Sequence, residues 1–220
     1  LIVMVTINAV NFIDGLDGLA VGVVAIASGC FFSFSYLLAV SNGFTRAGAP
    51  SLMTVILIGL CIGFLPHNSN PARMFMGDSG SMLLGLILAA SAITLTGQID
   101  ANAISEENIG PALLPLFLPF AVLAIPLLDL GLAILRRTSS GKSPFAPDKL
   151  HLHHRLLASG NSQNRAAIVL YLWTATFAVP VTVAAFAPIW IAILLTIFLA
   201  ATAFYTAKRT LDRNGNLINV

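Results

Sequence analysis

Apolar residues along this chain come in long unbroken runs, not in the three-and-four spacing of a helix with one wet face. The runs fall at 19–40, 50–65, 80–97, 111–135, 166–187 and 188–207. A helix that crosses a hydrocarbon core of ~30 Å needs about 20 apolar residues. Each run therefore predicts a membrane-spanning helix, with 50–65 the shortest and expected to be thin, tilted or extended at its ends. The 111–135 run carries Pro111, Pro115, Pro119 and Pro126 and should be kinked, and Pro188 marks a point where two helices turn around. The opening stretch differs: Leu1 to Ile7 gives only seven residues before Asn8, about 10 Å of helix. It has no basic segment and no small-residue cleavage site, so it does not read as a signal peptide. The expectation is that the chain begins inside a membrane helix. The fold predicted is an all-α polytopic membrane helix bundle, residues 1–220 forming a single integral-membrane domain that is the C-terminal portion of a larger bundle with its upstream helices missing.

Composition supports that picture. Of the 220 residues 57% are hydrophobic and 9% charged, against roughly 25% charged in soluble domains. So few charges cannot cover a wetted surface. The formal net charge of +2 and the lack of a basic run exclude a nucleic-acid partner. Cys30 and Cys61 lie in apolar stretches with no spacing partner and read as buried thiols.

Charge also orients the chain, because cytoplasmic loops are enriched in Lys and Arg. With residues 8–18 on the cytoplasmic side, ten of the eleven basic residues fall on that side, and only Arg46 faces out. The inner segments are then 8–18, 66–79, 136–165 and the tail from 208, and the unusual polar clusters all lie on them.

In the first cluster, Asn8, Asn11, Asp14 and Asp17 recur every third position, with Gly15 and Gly18 between the acids and after them. On a helix each step drifts by about 60°, so neighbours share a face while Asn8 and Asp17 point apart. Glycine permits the backbone to open and to approach a ligand. Capping or a turn is the plain alternative, but capping needs one such residue and four are present. The second cluster, Asn68 to Ser81, precedes the 80–97 run and contains Phe75, Gly77 and Asp78. Asp78 or Ser79 could simply cap that helix. Equally, a helix start with exposed N–H groups receives anions, and an adjacent Asp holds a divalent cation. The third cluster, Pro147 to Arg155, gathers His151, His153 and His154 with Asp148, Lys149 and Arg155. Zinc is the competing chemistry, but neither cysteine is near and no fourth soft ligand is spaced to join. Imidazoles that receive phosphate oxygens fit better. His67 reads as structural, and Asp129 as paired with a group at the end of its helix. Carboxylates, an Asp bordered by Gly and Ser and a His/Arg loop on one face suggest metal-assisted phosphoryl chemistry, with Mg²⁺, or else Mn²⁺, favoured by oxygen ligands.

Asn8–Ala20, Phe75–Ser81 and Asp148–Leu157 resemble three signature blocks of the polyprenyl-phosphate N-acetylhexosamine-1-phosphate transferase superfamily, glycosyltransferase family 4, in the family's order. The resemblance covers residues up to about 160. It implies attack of a lipid phosphate on the proximal phosphorus of a UDP-amino sugar, giving a lipid diphospho-sugar and UMP, with Mg²⁺ required. It assigns Asp78 to metal binding and Asp14, Asp17 and Asn11, with Asn8 in the same block, to a polar active-site helix. Asn68 and Phe75 match positions on the nucleotide side, beside Gly77, and His151, His153 and His154, followed by Arg155, match a diphosphate-contacting loop. The His-Leu-His-His-Arg-Leu order is similar to the branch that uses UDP-N-acetylglucosamine. The branch acting on UDP-N-acetylmuramoyl-pentapeptide, the alternative, shows three consecutive histidines. The implied partners are a UDP-sugar, undecaprenyl or decaprenyl phosphate and the plasma (inner) membrane, and a homodimer stays open. The family's adjacent aspartate pair does not occur in these 220 residues, in keeping with the expected missing upstream part.

Two other classes compete. Asp14–Gly18 also reads Asp-x-x-Asp-Gly, as in CDP-alcohol phosphotransferases, but Leu19-Ala20 then leads straight into an apolar run. A membrane transporter would set its polar groups near the bilayer midplane, whereas here they gather at one surface.

Overall fold

The computed structural model describes residues 1–41, 48–97, 120–121, 124–141, 143, 156–158 and 160–213. The helices are α1 (Ile2–Ile13), α2 (Leu19–Ser41), α3 (Gly48–Asn68), α4 (Gly77–Gly97), α5 (Ala124–Ser139), α6 (Gln163–Ala184) and α7 (Ile189–Arg213), with no strand among the described residues. Five are long and apolar enough to cross a membrane: 19–40, 48–68, 77–97, 163–184 and 189–207. The protein is a multi-pass membrane helix bundle.

These spans follow the apolar runs closely. The short 50–65 run gains length at both ends, reaching from Gly48 to Asn68, because its flanking residues continue the helix. The 111–135 run is described only in part: Pro111, Pro115 and Pro119 lie outside the described residues, and Pro126 falls in the first turn of α5, where a missing N–H costs nothing. One expectation is corrected. The polar repeat from Asn8 to Asp17 does not ride one helix, because α1 ends at Ile13 and Asp14 to Gly18 form turns. Gly18, at φ +75°, takes the left-handed conformation that ends this segment before α2 starts.

The outward faces are apolar. Leu52, Ile56, Leu60 and Ile62 on α3 and Trp190, Leu194, Ile197 and Phe198 on α7 are all exposed, a surface suited to lipid and not to water. Inside, Phe31, Phe34, Val24, Leu57 and Leu88 form the main core between α2, α3 and α4. Phe34 meets Phe186 at 5.5 Å between ring centres, and Trp173 meets Phe204 edge-on at 4.9 Å, joining α6 to α7.

Lipid tails are as apolar as leucine, so helices in a bilayer associate through close packing and interhelical hydrogen bonds. Both occur here. Ser51 donates to Ser35 at 2.9 Å between α3 and α2. At Gly85 on α4 a Cβ would lie 2.9 Å from the Ile7 Cα and 3.2 Å from the Thr6 carbonyl oxygen. The backbones of α1 and α4 therefore touch at this point. One turn further along each helix, the same antiparallel packing brings Asn11 opposite Ser81 and Asp78.

Candidate active site

The end of α1, the turn after it, the α3–α4 connection and the start of α4 converge on a polar cavity of about 250 Å³. Its walls include Asp14, Asp17, Asn68, Phe75, Gly77 and Asp78. These residues lie more than 60 positions apart at the extremes, and the α1–α4 contact brings them together. A larger cavity of about 530 Å³, lined by Leu1, Ile2, Val5, Ile93, Phe120 and Leu127, has apolar walls and lies along the opposite halves of α1 and α4. The chemistry-bearing groups belong to the smaller one.

Asp78 stands in the first turn of α4. The unpaired N–H groups and positive dipole end of a helix start favour negative charge there. Gly77 before it has φ +66°, and nothing lies within 4 Å of where its Cβ would stand. Backbone conformation, not space, thus calls for glycine. Asn11 reaches across from α1 and donates its amide to Asp78 Oδ1 at 3.2 Å and to Ser81 Oγ at 2.9 Å. Ser81 is fully buried at this contact.

Asp14 caps the end of α1 and is pushed up from its ordinary 3.8 to about 6, first by burial and then by the charge of Asp78. A carboxylate raised by burial and by a neighbouring carboxylate marks a place where a bound cation would bring relief. The sign of the linked stability follows. A raised carboxylate stabilises the fold below its unfolded pKa and loses that contribution as pH rises through its folded value. In chelator-treated protein, Asp14→Asn should therefore flatten the fall in thermal midpoint between about pH 4 and pH 6, read by differential scanning fluorimetry. A variant that keeps the wild-type slope would show that Asp14 does not carry it.

Asp17 is held differently. Its Oδ2 accepts from the Ala72 N–H at 3.1 Å and from Asn70 Nδ2 at 2.9 Å, so it ties the turn to the α3–α4 connection while also lining the cavity. Asn68 is 3% exposed, and both ends of its amide are engaged: Oδ1 accepts from the Gly18 N–H at 3.0 Å and Nδ2 donates to the Met74 carbonyl at 2.9 Å. His67, the C-terminal basic residue of α3, accepts at its carbonyl from the N–H groups of Arg73 and Met74. These bonds, around a cis Asn70–Pro71 bond, fold the connection so that Phe75 projects from the rim, 78% exposed. An exposed aromatic face at a cavity mouth is available to stack on a planar ring. Asn8 is not in the cavity wall, since its amide donates back to the Met4 carbonyl at 2.7 Å on α1.

His151, His153, His154 and Arg155 lie outside the described residues, as do Asp148 and Lys149, and the Asp129 side chain is likewise not described. Among the described residues no three His, Cys, Asp or Glu side chains come together to hold a metal. Sequence reasoning missed Asn70, Ser81, Gln163 and Tyr171, all of which hydrogen-bond around this site. Asn70 and Ser81 stood in the polar cluster before α4 and were open to assignment, whereas nothing in the apolar run of α6 set Tyr171 apart.

Residues 1–96 match the model of glycosyl transferase family 4. The chain is 49% identical over 169 residues to a decaprenyl-phosphate N-acetylglucosaminephosphotransferase of Mycobacterium tuberculosis, covering 76% of this chain and 42% of that protein. It is 35% identical over 188 residues to a probable undecaprenyl-phosphate N-acetylglucosaminyl 1-phosphate transferase of Bacillus subtilis, covering 86% of this chain and 48% of the relative. With a phospho-N-acetylmuramoyl-pentapeptide-transferase of Staphylococcus saprophyticus it shares 34% identity over 167 residues, 76% of this chain and 44% of that one. The chain thus spans less than half the length of these relatives.

Proposed function

The chain belongs to glycosyl transferase family 4, and from that membership we propose that its protein transfers N-acetylglucosamine 1-phosphate from UDP-N-acetylglucosamine to a polyprenyl phosphate, at the cytoplasmic face of the plasma membrane. In this reaction an oxygen of the lipid phosphate bonds to the phosphorus that carries the sugar. The bond from that phosphorus to the bridging oxygen breaks, and UMP leaves with the electron pair. The observation that carries the reading is the Asp14–Asp78 cavity at a helix start, set where the ends of several membrane helices meet.

The donor set fits a hard divalent cation. Asp14 and Asp78 offer oxygen only, and their mutual repulsion, expressed in the raised Asp14, is of the kind a cation offsets. Mg²⁺ bound by Asp78 with Asp14 would supply charge neutralisation for the diphosphate. The chain's own groups do the rest. Asn11 holds the Asp78 carboxylate in place. The open N–H groups at the start of α4 face incoming phosphate oxygens. Phe75 offers its ring to the uracil, and His151, His153, His154 and Arg155 contribute charge to the leaving phosphate, acting with the preorganised dipoles of the site. Asp17 braces the turn that presents Asp14.

Two observations favour N-acetylglucosamine over the muramoyl-pentapeptide donor. Identity is 49% to the Mycobacterium tuberculosis decaprenyl-phosphate N-acetylglucosaminephosphotransferase against 34% to the Staphylococcus saprophyticus muramoyl-pentapeptide-transferase, with the Bacillus subtilis relative at 35%, and Leu152 interrupts the histidine run. The test is UMP release by the full-length protein in lipid nanodiscs with decaprenyl or undecaprenyl phosphate. UDP-N-acetylglucosamine with Mg²⁺ should give turnover that EDTA abolishes, and the muramoyl-pentapeptide donor should give none. Absence of UMP from every UDP-sugar tried would overturn the reading.

A further inference from the structure

The turn that carries Asp14 and the connection that leads into Asp78 are not held by their own helices alone. From α6, Tyr171 donates its hydroxyl to the Gly18 carbonyl at 2.6 Å. The N–H of the same Gly18 donates to Asn68, whose amide in turn holds the Met74 carbonyl just before Phe75. A second arm starts at Gln163 in the first turn of α6: its Oε1 accepts from Asn70 Nδ2, which also donates to Asp17. Asn70 thus forks between the acid of the turn and the helix. The Tyr171 ring lies directly against Gly22, where a Cβ would stand 2.2 Å from its ring carbon, so only glycine leaves it room there.

We propose that Tyr171 and Gln163 are positioning residues for the reaction, clamping the 14–18 turn against the 69–76 connection so that Asp14 and Asp78 keep the separation a divalent cation requires. The inference rests on the proposed transferase reading and extends it to α6, which lies beyond the residues matched by the family model. Neither side chain lines the cavity, so neither touches substrate from its wall. Their effect passes through backbone placement, and small displacements at a reacting centre are costly.

The test uses the full-length protein with Tyr171→Phe, which keeps the ring over Gly22, and Gln163→Ala, which removes one acceptor. Hydrogen exchange followed by mass spectrometry should show peptides spanning 14–18 and 69–76 exchanging up to roughly tenfold faster in each variant, with α2 and α3 unchanged. In UMP release the Mg²⁺ concentration for half-maximal rate should rise several-fold, with the thermal midpoint nearly unmoved. A merely structural role would lower the midpoint and leave the Mg²⁺ dependence alone. Wild-type exchange and wild-type Mg²⁺ dependence in both variants would overturn the clamp while leaving the transferase reading intact. Faster exchange at both segments in a wild-type background that never releases UMP would support the clamp and sink the reaction instead.

Discussion

Asp78→Asn is expected to lower UMP release at saturating substrates by about three orders of magnitude, with helix content and thermal midpoint close to wild type. The substitution keeps the shape and still offers an oxygen to Asn11, so the start of α4 should stay in place. What goes is the negative charge opposite Asp14. A hard cation chooses carboxylate oxygens, and an amide in that position both weakens the site and lets Asp14 fall back toward its ordinary proton affinity, since the charge of Asp78 is one of the two causes of its rise. Steady-state UMP release against Mg²⁺ concentration, with circular dichroism as the folding control, reads the result. Near-normal rates in this variant would refute the metal role of Asp78.

The second large effect comes from a residue with no chemistry. Gly85→Leu should reduce turnover by about a hundredfold, because a misplacement of the order of an ångström far from the reacting atoms can cost that much. A Cβ at Gly85 already stands 2.9 Å from the Ile7 Cα, so a leucine there must push α1 away from α4. The contact that parts is the one that seats Asn11 over Asp78 and Ser81. Overpacking of this kind also costs about 1–3 kcal/mol of stability, so Gly85→Ala, a smaller insult, should give an intermediate rate. Gly63→Leu is the control: it lies on an exposed stretch of α3 with nothing within 4 Å of its Cβ, and it should behave as wild type. Equal rates for Gly85→Leu and Gly63→Leu would show that the α1–α4 approach does not matter to the site.

Much of this molecule could be read from its residues, and for a physical reason. A bilayer imposes one strong requirement, length of apolar helix, so the spans at 19–40 and 80–97 emerge from composition alone. The ends of helices are set by weaker and more local terms. The structure therefore lengthens the 50–65 run to Gly48–Asn68 and stops α1 at Ile13, where a three-residue polar repeat had suggested continuation. Residue type also identified Asp14, Asp17 and Asp78 as a group, and all three line one cavity. It could not separate their roles. Asp14 is raised by burial and by Asp78, while Asp17 is taken up by Ala72 and Asn70, and only packing distinguishes them. The arms from α6 are the least legible part, since they join residues 153 and 93 positions apart and use a tyrosine and a glutamine that look ordinary in sequence.

The proposal that Asp14 and Asp78 jointly hold a divalent cation where the end of α1 meets the start of α4 is tested most directly by an electron paramagnetic resonance titration of Mn²⁺ into the full-length protein with UDP present. Wild type should take up one Mn²⁺ per protein, and the Asp14→Asn/Asp78→Asn double variant should leave the ion free in solution at the same concentrations. Undiminished Mn²⁺ uptake by the double variant would contradict the account.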